Sequence, residues 1–502
     1  MNKKDEDLEA KLLVAAGEPP AKAADTTGNA YALVCALLAS LASIIYGYNR
    51  GVMSGAQKYV QEDLGVSDGQ LEVLIGLTSV YSLVGSLAAG WACDRAGRRR
   101  TVALAAALFL AGSAVTAAAN GYAALMAGQL LAGVACGFGL VVAPVYIAEI
   151  APAASRGFLS SIPEIAGNSG ILLSYIADFA LAGLPKTLNW RLMIGIGAVP
   201  PLFLAASALL VMPETPRWLV LHGHPDEARR VLARTTGDDT VADRLLEEIV
   251  ASVKEASSKQ QAGSGGGASP APSTNVWREI LLRPTPAVRH VMLAITGLQF
   301  FQQACGVAAM VLYAPRVFGR AGVTSERAVL GATVLLGAAK TAAIVVPLFL
   351  ADRLGRRPML LASAAGMAAS LLVLGVSLRA SPAAAATCVA AGAAYMATFS
   401  LGFGPVIWMY GSEILPLRLR AQGTGIGTAL NRVMSAVVGM TFISMYKAVG
   451  MAGSFYIFAA FSAAAYVFVY VCLPETKGKS LEEMEALFDG RAGRSSPQAP
   501  PS

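Results

Sequence analysis

DRAGRR at residues 94–99 returns as DRLGRR at residues 352–357, an offset of 258. AEIAPAASR around Glu149 is answered by SEILPLRLR around Glu413, an offset of 264. PETPR from Pro213 is answered by PETKG from Pro474, an offset of 261. Three landmarks in the same order at nearly constant spacing are the mark of an internal duplication. The two copies run in the same direction along the chain, so two parallel halves are expected.

What surrounds these landmarks is apolar. Of 502 residues, 55% are hydrophobic and 14% are charged, against roughly 25% charged in a soluble domain. Mean hydropathy is +0.55. The apolar residues come in blocks of about 18–25, the length that crosses a hydrocarbon core about 30 Å thick. Read between charge and turn signals, the blocks predict an all-α polytopic membrane protein with twelve transmembrane helices in two six-helix halves. The spans fall near 30–50, 71–91, 101–118, 123–147, 160–182 and 190–211, then near 287–312, 328–351, 358–378, 384–410, 421–446 and 451–472. The expected organisation is a tail (1–29), a first half (30–211), a linker (212–286), a second half (287–473) and a tail (474–502).

The net charge of +7 does not point to nucleic acid, because the basic residues sit in short loops rather than along a stripe. They report topology instead. Lys58, Lys186, Arg191, Arg316, Arg320, Arg327, Arg379 and Lys447 fall on one side, and most other Lys and Arg on the opposite side. That bias places both termini in the cytosol. Six isolated cysteines offer no disulfide or zinc framework. The first 29 residues lack the apolar core of a signal peptide. In the linker, Val241, Leu245, Leu246, Ile249, Val250 and Val253 recur at helical spacing, which predicts an amphipathic surface helix. Residues 257–275 read as a disordered Gly/Ser/Pro segment. Ser480 and Glu483 open a short tail helix with a capping box.

Each DRxGRR occupies a tight loop after the second or eighth span, where Gly97 and Gly355 permit the turn. Acidic and basic groups gather at the same ends of neighbouring helices: Asp94, Arg95, Arg98, Glu149, Arg156, Glu214 and Arg217 in one half, Asp352, Arg353, Arg356, Glu413, Arg420 and Glu475 in the other. Such groups can form a charge network that holds one state of the bundle and releases another. A single copy of Arg after a span would do no more than enforce orientation; two matched copies point to gating.

At these residues the chain resembles the sugar porter family of the major facilitator superfamily. PEIAGNSGILLSY (163–175), FFQQACG (300–306), Lys340 and ALNRV (429–433) look like its plant polyol and monosaccharide branch. The resemblance implies two halves rocking around a central site for a small polyhydroxylated substrate in a lipid bilayer. No nucleophile–base set, metal cluster or phosphate loop stands out in the sequence, so neither an enzyme nor a cofactor is expected. It implies the plasma membrane first and the vacuolar membrane second. A polyol needs side chains that both donate and accept hydrogen bonds, plus an aromatic wall. Gln302, Gln303 and Asn431 match the family's polar contacts, Trp408 its stacking ring, and Gly404-Pro405 breaks the tenth span so that backbone can approach a ligand. Lys340 occupies a site-facing family position. Glu164, ionisable within the fifth span, costs at least about 2.5 kcal/mol there and is a functional candidate by default.

The chain departs from the family where proton-coupled members carry an aspartate in the first span and an arginine in the fourth. Those positions are Asn49 and Gln129, which do not titrate in the relevant range. Arg50 stands beside the altered position and is expected to pair with Glu164. The resulting expectation is a facilitator or a carrier with altered coupling. The alternatives are a proton symporter using Glu164 and a non-transporting sugar receptor.

Overall fold

The structure, a computed structural model, describes residues 26–152, 155–262, 280, 285–379, 384–415 and 419–477. All regular structure among them is helical. The first half holds α1 (Thr26–Leu64), α2 (Asp68–Ala96), α3 (Arg98–Ala117), α4 (Tyr122–Ile150), α5 (Arg156–Leu181), α6 (Lys186–Ile196) and α7 (Val199–Leu210). Helices α8 (Pro216–Leu221), α9 (Pro225–Thr236) and α10 (Asp239–Ala262) follow. The second half holds α11 (Pro286–Ala304), α12 (Val307–Arg320), α13 (Glu326–Ala343), α14 (Val345–Leu354), α15 (Arg356–Ser377), α16 (Ala385–Leu401), α17 (Val406–Ile414) and α18 (Arg420–Cys472).

Among the described residues, ten segments are long and apolar enough to cross a bilayer. One of them, Gln422–Cys472, carries two spans folded back at Gly450, whose φ of 78° breaks α18. The ten omit α5, a 26-residue helix with Glu164, Asn168, Ser174 and Asp178 among its apolar residues. Counting both gives twelve.

The duplication is visible in the packing. In the first half α1 lies along α5, while α2 and α3 lie on α4. In the second, α11 lies along α18, while α13 and α15 lie on α16. The halves meet chiefly along two seams, α2 on α18 and α5 on α13, with α1 also touching α12. The α1–α5 contact is close because Gly47, Gly51 and Gly55 line one face of α1 at four-residue spacing. A Cβ on Gly47 would collide with the Gly167 carbonyl, on Gly51 with Ser174 Oγ, and on Gly55 with Asp178. Small residues that let backbones approach are how helices associate in lipid.

Three expectations need correction. The first span was expected to end near Arg50, but α1 continues to Leu64, because Val52, Met53, Ala56, Tyr59 and Val60 carry its buried face onward. The seventh span breaks at Gly306, which adopts φ 90°; Tyr395 Oη donates to the Cys305 carbonyl there at 2.9 Å. The segment expected to be disordered from residue 257 is helical to Ala262, the residue before the first glycine of the run. The expected tail helix, the N-terminal tail up to residue 25 and linker residues 263–275 lie outside the described residues. Leu219, Ala228 and Val231 of α8 and α9 pack into the apolar cluster of the first half, and Arg229 pairs with Asp243 of α10 at 2.5 Å.

Candidate functional site

The repeated motifs build the same device twice. Gly97 turns the chain with φ 90° between α2 and α3, and Gly355 with φ 94° between α14 and α15. Glu214 then accepts the backbone N–H of Arg98 at 2.8 Å and of Arg99 at 3.1 Å. Glu475 accepts those of Arg356 and Arg357, both at 3.0 Å. These are orphan donors at helix N-termini, where a carboxylate is favoured by the helix dipole. Arg98 pairs with Glu149 at 2.8 Å, and Arg356 with Glu413 at 2.7 Å. Tyr146 donates to the Pro213 carbonyl, and Tyr410 to that of Pro474. Burial pushes the Glu214 carboxyl above the ordinary carboxylate value, against the opposing pull of the Thr215, Arg98 and Arg99 N–H groups.

These ion pairs run within each half. Arg156 and Arg420 donate to the carbonyls of Ala151 and Leu415, five residues back. Asp94, 80% exposed, stands 3.9 Å from Arg98, and Arg95 covers Trp91. Arg217 is exposed, and Arg353 offers its carbonyl to Lys477 Nζ. The Asp352 side chain lies outside the described residues. The bonds seen between halves among the described residues include clusters mid-bundle and at the end remote from the motifs. There Asp68 of α2 holds Arg316 at 3.2 Å and Lys447 at 2.6 Å. Glu72 accepts the Ser444 N–H and hydroxyl, Lys58 pairs with Glu326, and Arg316 also reaches Gln61. This remote closure was not anticipated from sequence. Its only signal there was charge of both signs flanking short loops.

At mid-bundle the tenth span breaks between α16 and α17, as Gly404-Pro405 predicts. Gln302 Nε2 donates to the freed carbonyls of Phe403 at 2.6 Å and Gly404 at 3.1 Å. Asn431 Nδ2 donates to Gln302 Oε1 at 2.6 Å and Gln299 Oε1 at 2.9 Å. Gln303 Nε2 reaches Asn431 Oδ1 at 3.3 Å. Gln302, Gln303 and Asn431 therefore form one buried amide cluster, with Gln299 as a member that sequence reading missed. Gln302 is fully engaged, whereas Gln303 Oε1 is a buried acceptor without a partner. Trp408 is half-buried and lines an opening with Gln299, Gly411 and Thr424.

A second cavity is lined by Tyr46, Asn49, Arg50, Thr78, Ser79, Ser82, Gln129 and Arg432, among others. Thr78 donates to Gln129 Oε1 at 3.2 Å, and Asn49 Oδ1 lies 3.8 Å from Cys136 Sγ. The expected Arg50–Glu164 pair does not form. Arg50 donates instead to Tyr46 Oη at 2.9 Å and Ser435 Oγ at 3.1 Å, because these hydroxyls stand one turn back on α1 and across the seam. Glu164 is exposed and accepts from Asn168 at 3.3 Å. Lys340 is buried at 8% exposure, with Arg50, Glu164 and Tyr46 as its electrostatic neighbours.

A duplicated twelve-span bundle with a polar centre and paired charged turns is the architecture of a membrane transporter, and the chain belongs to the sugar (and other) transporter family, which it matches over residues 35–488. It is 46% identical over 489 residues to Polyol transporter 5 of Arabidopsis thaliana, covering 94% of this chain and 89% of that protein. Glucose transporter GlcP of Staphylococcus epidermidis is 30% identical, covering 91% and 97%. Among solved structures, the proton:xylose symporter XylE bound to 6-bromo-6-deoxy-D-glucose superposes with TM-score 0.71 at 27% identity, covering 91% and 99%. The inward open conformation of XylE from E. coli superposes with TM-score 0.75 at 26% identity and the same coverage.

Proposed function

We propose that this protein is an alternating-access carrier of polyols and monosaccharides that works without proton coupling. Its halves, 30–211 and 287–473, rock about a site at their interface, with the motif ends and both termini in the cytosol of a plasma-membrane protein. The observation that carries the substrate class is the amide cluster of Gln302, Gln303 and Asn431 against the broken tenth span. Within it Gln303 Oε1 is an acceptor without a partner, placed for a ligand hydroxyl, and Trp408 supplies an apolar face. Similarity to Polyol transporter 5 supports the same class. Glu164, Lys340 and Gly404 complete the proposed substrate site. The remote closure, with the ion pairs Arg98–Glu149 and Arg356–Glu413 each made inside one half, supports a cytosol-facing state, as does the similarity to inward open XylE.

Uncoupled transport is supported by Asn49 and Gln129, which hold neutral partners and carry no proton. A second reading, proton symport through Glu164, is favoured by that residue's exposure beside Lys340 and by similarity to a proton:xylose symporter. Uptake of labelled sorbitol and glucose into proteoliposomes, with and without an inward proton gradient, tests both. Saturable uptake that stops at equilibration and ignores the gradient supports the facilitator. Gradient-dependent accumulation lost in Glu164→Gln replaces it with the symporter. Binding without uptake would make the protein a receptor.

A further inference from the structure

The hydroxyl of Tyr46 accepts from two guanidinium groups at once: Arg50 Nη1 and Arg432 Nη1, each 2.9 Å away. The two arginines come from opposite halves, and both line the central cavity. Their remaining partners are neutral, Ser435 Oγ for Arg50 and Asn431 Oδ1, at 2.7 Å, for Arg432. No carboxylate of the described residues lies within ion-pair distance of either. Arg432 is 6% exposed, and its Nε is buried without a partner. Lys340 adds a third cation nearby, and the acid facing this group is Glu164, exposed and bonded to Asn168.

Two like charges gathered on one phenol, one of them on the buried Arg432, are mutually unfavourable unless an anion joins them. Guanidinium forks match a carboxylate in geometry as well as charge. Around them the cavity presents Asn49, Thr78, Ser79, Ser82 and Gln129, neutral groups suited to hydroxyls. We propose that the central cavity binds an acidic polyol, an aldonate or uronate, with its carboxylate between Arg50 and Arg432 and its hydroxyls on these neutral side chains. This rests on the transport reading above and makes the acidic members of the class its preferred ligands.

The test is calorimetric binding of gluconate, glucuronate, sorbitol, acetate and chloride to the purified full chain, with sorbitol and gluconate uptake measured in proteoliposomes. Gluconate is expected to bind about tenfold or more tighter than sorbitol or acetate, a difference that one charge-assisted contact readily supplies. The gluconate-to-sorbitol affinity ratio is expected to fall about tenfold in Arg50→Gln and in Arg432→Gln, with Arg432→Lys between them and wild type. Gluconate binding no tighter than sorbitol in the wild type overturns the proposal, and sorbitol uptake then leaves the transport reading standing. Acetate or chloride binding as well as gluconate also overturns it, since the site would then read charge without the polyol. If no polyhydroxylated compound binds or moves, both readings fall.

Discussion

The carboxylate of Glu214 accepts the backbone N–H of Arg98 at 2.8 Å, and so closes the N-terminus of α3 from a residue that follows α7. Glu475 does the same for α15 from the chain beyond α18. The PET motifs thereby tie the last span of each half to its third through main-chain donors. A charge network alone would not need that.

Glu475→Ala leaves the N–H groups of Arg356 and Arg357 without their acceptor and is expected to cost about 1–2 kcal/mol, the range for lost helix caps and buried hydrogen bonds. A lower thermal midpoint in detergent, with the milder change in Glu475→Gln, is the expected result. Equal midpoints for Ala and wild type would remove the capping role.

Acidification should act on Glu214 in the opposite sense to a salt-bridged carboxylate. Its folded-state pKa is raised, chiefly by burial, so the native state binds the proton more readily than the unfolded chain. The destabilisation from its charge is present above the folded pKa and is relieved as pH falls toward the unfolded value. The thermal midpoint of wild type relative to Glu214→Gln should therefore rise on going from pH 7 toward the ordinary carboxylate range. A relative fall over that interval would contradict the assignment.

Asp68 joins Arg316 and Lys447 across the remote seam. These groups are partly exposed, so Asp68→Asn is expected to remove roughly 1 kcal/mol from this closure, a several-fold population shift. The readout is labelling of Ser79→Cys by a membrane-impermeant thiol reagent from the remote side. Faster labelling in the Asp68→Asn background is expected, and an unchanged rate would show that the apolar seam alone holds the closure.

Close packing of α1 on α5 makes a contrast between two glycines. Gly51→Val drives side-chain atoms into Ser174 and Ile171, whereas a Cβ at Gly90 meets nothing within 4 Å. Gly51→Val should abolish the folded monodisperse protein or lower its midpoint sharply, by more than about 3 kcal/mol of overpacking. Gly90→Ala should leave both unchanged.

Loss of the amide cluster bears on transport itself. Asn431→Leu strands Gln302 Oε1 and Gln299 Oε1, each a buried acceptor left at a cost of about 1–3 kcal/mol. Sorbitol uptake should show a KM raised about tenfold or more. A normal KM would move the substrate contacts away from this cluster.

Much of this was legible along the chain. Twelve apolar blocks, the duplicated landmarks and the break at Gly404-Pro405 are local or strictly periodic features, and a helix in lipid must satisfy its own backbone. The amide residues were legible as well, because polar side chains within apolar spans are conspicuous. Gln299 escaped notice although it lies one turn before Gln303, since a lone amide near a span centre reads equally well as helix glue.

The sequence by itself determined the architecture of this protein, the parallel halves and the residue types available at its centre. Only the tertiary structure decided which of those residues meet. Arg50 turned to Tyr46 and Ser435 rather than Glu164, and Tyr46 gathered a second arginine from the other half. The motif ion pairs Arg98–Glu149 and Arg356–Glu413 formed inside their own halves, and Asp68 took its partners from residues some 250 and 380 positions away. Hydropathy and helical period belong to one segment at a time, whereas the partner of a buried charge depends on where distant helices cross. That crossing is set by close packing of small residues, such as Gly47, Gly51 and Gly55 against α5, in which every helix constrains the rest.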